Sequence, residues 1–88
     1  MTIALASILD TAAAGPLRAE LRKAVDGGRP VVINGSAVER TGQACLQVLV
    51  AAKAAADGAG LAFGIQEPSA ALTEMATLAG LHPLVAAA

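Results

Sequence analysis

Val31-Val32-Ile33-Asn34-Gly35-Ser36-Ala37-Val38-Glu39-Arg40-Thr41-Gly42-Gln43-Ala44-Cys45-Leu46-Gln47-Val48-Leu49 is the stretch on which the fold turns. Its first three residues are β-branched and sit between a Gly-Gly-Arg-Pro turn and Asn34-Gly35, which reads as a strand over Pro30 to Ile33. No second strand pattern comes after Asn34-Gly35, so a hairpin is disfavoured. The chain instead loops from Ser36 to Gly42 and enters a helix from Gln43 to Ala56, with Leu46, Leu49, Lys53 and Ala56 along one line.

The flanks repeat this alternation. Thr2 to Ile8 is short and apolar and reads as one buried strand. Asp10 or Thr11 can cap a helical segment, but Pro16 is poorly tolerated inside a helix, so the regular helix is expected to start there, with Pro at its first position. Leu17, Leu21, Ala24 and Val25 share its apolar face, and Gly27-Gly28 ends it. Downstream, Asp57-Gly58-Ala59-Gly60 closes the second helix and Leu61 to Ile65 forms a third strand. Ser69 caps a third helix from Ala70 to about Ala79. Strand and helix alternating three times predict an α/β domain, its sheet covered by helices.

In order, Leu9-Asp10-Thr11-Ala12-Ala13-Ala14-Gly15-Pro16-Leu17, the central stretch, and Pro68-Ser69-Ala70-Ala71-Leu72 running on to Leu78-Ala79-Gly80-Leu81 resemble the STAS domain of bacterial anti-anti-sigma factors. The resemblance covers about Leu9 to Leu81 and rests on order and spacing, since each motif alone is unspecific. It implies a STAS-like sheet of about three to four strands with three helices, over residues 1–82, with a flexible Ala-rich tail over 83–88. STAS domains usually carry one more strand ahead of the segment matching Thr2 to Leu9; here that N-terminal strand is missing. The open sheet edge along residues 2 to 8 is therefore expected to be covered by a second protomer or a partner.

In that family the loop before the second helix typically reads Asp-Ser-(Ser/Thr/Gly)-Gly-Leu, and a partner kinase phosphorylates its first Ser or Thr. Counted without gaps from Ser36, Gly42 stands at the Asp, Gln43 at the phosphoacceptor, Ala44 next, Cys45 at the Gly, and Leu46 at the Leu. A helix N-terminus offers free N–H groups and a positive dipole end, which is why a phosphate is stabilised there. Gln43 cannot accept a phosphoryl group. The remaining hydroxyls near the loop, Ser36 and Thr41, are the alternative phosphosites, although a turn-forming role suffices for Ser36. The resemblance makes Glu39, Arg40, Thr41, Gly42, Gln43, Ala44 and Leu46 the partner-binding surface, with the Glu39-Arg40 pair setting partner choice by charge.

Composition limits the alternatives. With 88 residues and an alanine-rich 56% hydrophobic share, the core rests on a limited set of Val, Leu, Ile and Met plus Phe63. Net charge −1 and a single aromatic residue exclude a phosphate-tracking or base-stacking nucleic-acid surface. Asp10, Arg18, Lys53 and Asp57 interrupt every candidate membrane span, and no Lys or Arg precedes the short apolar start, so a cytoplasmic protein is expected. Cys45 reads as a small buried residue, with a redox thiol favoured by the helix dipole as its functional alternative. His82 has no companion at ligand spacing, so no metal is expected. The carboxylates are scattered singly through caps and turns, which predicts no catalytic site and no cofactor. Gly58-Ala59-Gly60 lies between a helix and the next strand, the reverse of a dinucleotide loop.

The resemblance thus implies a non-enzymatic domain docking on a kinase-like anti-sigma factor, on a chemotaxis kinase, or, as the alternative, on the ABC ATPase of a lipid-transport complex (MlaB-like). The alternative of another class is a nucleotide or anionic-ligand binder using the second helix's N-terminus.

Overall fold

A computed structural model describes residues 2–81 and 83–86. Its sheet has three parallel strands, β1 (Thr2–Ala4), β3 (Val31–Asn34) and β5 (Phe63–Gln66), with β3 in the middle. Two further strands, β2 (Ile8–Leu9) and β4 (Arg40–Thr41), pair in parallel as a separate two-residue ladder. The register sets Ile3, Ile33 and Ile65 side by side, and all three are buried. That row faces the helices and joins Leu17, Leu21, Leu46, Leu49 and Leu72 in one core. Alternation sends Thr2, Ala4, Val32, Asn34, Gly64 and Gln66 to the other face, which is exposed or half-buried.

Helix α1 runs from Thr11 to Asp26, α2 from Gln43 to Gly58 and α3 from Ala70 to Leu78. The structure corrects the expected start of α1. Asp10 is its N-cap, accepting from the Ala13 N–H at 3.1 Å, and Pro16 lies inside the helix. Pro16 removes only the bond to the Ala12 carbonyl, and both residues are exposed, so water can satisfy that carbonyl. The cap and the burial of Leu17 and Leu21 offset the loss. Ser69 caps α3 as expected, accepting from the Leu72 N–H at 3.0 Å.

Three other expectations change. Thr2 to Ile8 is two strands, because the chain leaves β3 after the Leu5 N–H bonds the Asn34 carbonyl and then pairs with β4. The Ser36 to Gly42 loop contains β4 and an anchor, Val38, which is 2% exposed. Of the segment expected as a flexible tail, residues 83–86 form a short helix, α4 (Pro83–Ala86), with Leu84 and Val85 buried in the core; the alanine-rich composition disguises an apolar pair able to dock. His82, and the metal reading attached to it, lies outside the described residues.

Gly35 is where the sheet meets α3. Its carbonyl accepts from the Ser69 N–H at 3.0 Å and its N–H donates to the Gln66 carbonyl at 3.0 Å. A Cβ there would stand 2.7 Å from Leu72 Cδ2, so any larger residue must push the buried Leu72 aside.

Candidate functional site

Two loops clasp each other at the end of the domain where α1 and α2 begin. The Ser7 carbonyl accepts from both Glu39 N–H (2.8 Å) and Arg40 N–H (3.1 Å), and the Leu9 carbonyl accepts from Gly42 N–H (2.9 Å). The β2–β4 ladder sets Ile8 opposite Arg40 and Leu9 opposite Thr41. Since side chains alternate along a strand, Leu9 and Thr41 turn inward together and Ile8 and Arg40 turn outward together.

This pairing sorts the residues expected at the site. Glu39, Arg40, Gly42 and Gln43 are exposed and Ala44 is half-buried, so these come together as one surface. Thr41 is only 8% exposed, its hydroxyl donating to the Gly42 carbonyl at 3.4 Å, and Leu46 is fully buried. Both side chains lie beneath that surface. Ser36 is exposed, but its hydroxyl donates to Asn34 Oδ1 at 2.6 Å and its N–H to the same oxygen at 2.9 Å, closing a turn. Ile8, which sequence reasoning placed in a buried strand, is 50% exposed beside Arg40. The adjacent apolar pair Ile8-Leu9 carried no signal of which one points out.

Helix α2 opens without a side-chain cap. Gly42 takes the N-cap position with extended backbone (φ −99°, ψ 174°) and offers no acceptor. The first bond of the helix is Leu46 N–H to the Gly42 carbonyl at 3.3 Å, which leaves the N–H groups of Gln43, Ala44 and Cys45 without an intrahelical acceptor. The Gln43 side chain is neutral, so the positive end of α2 meets no carboxylate of its own. Asp10, the cap of α1, lies at the same end of the domain.

Cys45 joins the two helix starts. Its thiol donates to the Asp10 carbonyl at 3.3 Å and is fully buried. Burial first, and the Asp10 charge second, push its pKa up from the ordinary thiol value. Loss of solvent thus works against the thiolate that a helix start favours, and the side chain packs where a glycine would leave a gap.

Among the described residues no three metal-ligating side chains come together. No helix there is long and apolar enough to cross a membrane. The sequence model of the family described as "Mlab, STAS domain" matches residues 1–86. No curated protein matches the chain significantly.

Proposed function

This chain belongs to the STAS domain family, and from that premise we propose that it is a constitutive docking domain for an ATPase-type partner, bound through the clasp and the start of α2. The observation that carries the reading is the uncapped helix start: Gln43 stands exposed at the phosphoacceptor position while Gly42 supplies no carboxylate. A switch needs a hydroxyl where the free N–H groups can hold its phosphate, and this one has an amide. Thr41 is turned inward and Ser36 is tied to Asn34, which supports docking without phosphorylation.

The contact surface is Glu39, Arg40, Gly42, Gln43 and Ala44, with Ile8 as its apolar anchor; Thr41 and Leu46 hold it in place from beneath. The partner is a kinase-like anti-sigma factor or chemotaxis kinase in a cytoplasmic signalling system. A second reading, the regulatory subunit of a lipid-transport ABC ATPase, is favoured by the description of the matching family. In both the domain acts by binding and does no chemistry.

Capture of the tagged chain from extract of its own cells, with Arg40→Glu and Gln43→Lys run beside it, tests the proposal. Recovery of an ATPase that both variants lose supports it, and the ATPase's class chooses between the two readings. A partner indifferent to both substitutions, or phosphate found on Ser36 or Thr41 under ATP, overturns it.

A further inference from the structure

We propose that the outer edge of β1 is the interface of a two-fold homodimer, in which β1 of a second copy adds antiparallel and continues the sheet. In a parallel ladder the main-chain groups of successive residues point to opposite sides, and the Leu5 N–H bonds the Asn34 carbonyl of β3. Ile3 therefore also turns toward β3, while the N–H and C=O of Thr2 and Ala4 turn outward. Nothing among the described residues pairs them. The strand at the opposite edge, β5, is contacted by α4.

The strand is its own complement. Centred on Ile3, an antiparallel second copy sets Thr2 against Ala4 twice, each a hydrogen-bonded pair exchanging both bonds, and Ile3 against Ile3 as the close non-bonded pair. No charge, proline or bulge on Thr2–Ala4 guards this edge, which is how an unshared edge is usually protected.

The groove beside the edge names the occupant further. It has a volume of about 760 Å³ and lies between β1 and α1, with Ile3, Ala13, Pro16 and Leu17 among its apolar walls. Its charged rim on α1 is Glu20 and Lys23, one turn apart, both exposed and neither in an ion pair among the described residues. A two-fold axis through Ile3 runs the two α1 helices antiparallel, so each copy presents Glu20 toward the other's Lys23 and the reverse. A contact of this kind is self-complementary, as a closed dimer requires. Arg29 also lines the groove.

Sedimentation equilibrium of the full chain tests this, the expected result being a species of twice the 8.6 kDa chain mass. Ala4→Pro removes an outward N–H and no bond to β3, so it is expected to give a folded monomer. Glu20→Lys on the helix rim leaves the strand untouched and is expected to weaken the dimer about tenfold or more, with Lys23→Glu added to it restoring association. A wild-type monomer throughout the micromolar range overturns the proposal. So does a dimer that survives both Ala4→Pro and Glu20→Lys, which would place the contact elsewhere, or one whose charge-swapped form fails to recover. The clasp surface is separate, so loss of partner capture by Arg40→Glu leaves this outcome unaffected.

Discussion

Replacing Gly42 by Asp is expected to stabilise the domain by restoring the cap that α2 lacks. The backbone at Gly42 is extended with negative φ, so an L-residue fits without strain. An added Cβ would meet only the Leu9 carbonyl, at 3.7 Å, which is ordinary contact. Asp exceeds Gly as an N-cap by a few tenths of a kcal/mol. A carboxylate at the positive helix end adds about 0.3–1 kcal/mol. Removing a glycine from the unfolded chain adds about 0.4–1 kcal/mol. Asp10 stands at the same end and repels the new charge, so the net is set at about 1 kcal/mol, or roughly 4–8 °C in Tm for a domain of this size. Thermal melting at neutral pH measures it, with Gly42→Ala as the reference. Alanine shares the entropic gain but is a poor cap, so its Tm is expected to stay near wild type. The carboxylate part of the gain belongs to a carboxyl held below its unfolded pKa, so it is present at pH 7 and fades as pH falls through the carboxylate range. A Gly42→Asp protein no more stable than Gly42→Ala would refute the claim that α2 lacks a cap and a carboxylate of its own.

Gly35→Ala is expected to cost about 1–3 kcal/mol by overpacking, since its Cβ would press on Leu72 Cδ2, Ile65 Cγ2 and the Pro68 backbone; a urea midpoint equal to wild type would contradict this. Leu46→Ala is expected to lose about 2–5 kcal/mol from the core, whereas Arg40→Glu on the exposed side of β4 is expected to stay within about 0.5 kcal/mol of wild type, so paired denaturation curves separate the supporting residue from the contact residue. Cys45 is expected to react with a thiol reagent at a rate limited by opening of the fold, and to label freely in denaturant. Because burial raises its folded pKa over the unfolded one, its contribution is complete below the unfolded value and is lost as pH climbs through the folded one; stability measured across the alkaline range should fall there and Cys45→Ala should flatten the fall.

Much of this fold is legible in the chain because its signals are local. Val31-Val32-Ile33 between turn residues can only be a short buried strand, Ser69 three residues before Leu72 marks the α3 cap, and the absence of a hydroxyl at Gln43 is a fact of residue identity. Where Pro16 sits was misleading for the same reason. Its local cost predicts a helix start, and only the cap at Asp10 together with the burial of Leu17 and Leu21 makes a longer helix the better solution.

Tertiary structure alone decides which side chains of the clasp meet solvent. In Ile8-Leu9 and Arg40-Thr41 the strands are two residues long, too short for a pattern to declare its face, so inward and outward are set by the partner strand 32 positions away in register. That pairing hides Thr41, exposes Ile8, and turns seven candidate contacts into a smaller surface. The docking of Leu84 and Val85 is decided in the same way, by a site on the core that their alanine-rich surroundings do not reveal. The sequence determined the main strands and helices and the missing hydroxyl through short-range chemistry; the short β2–β4 ladder, α4 and exposure, and with it the set of candidate contact residues, depend on segments that are distant in the chain and neighbours only after folding.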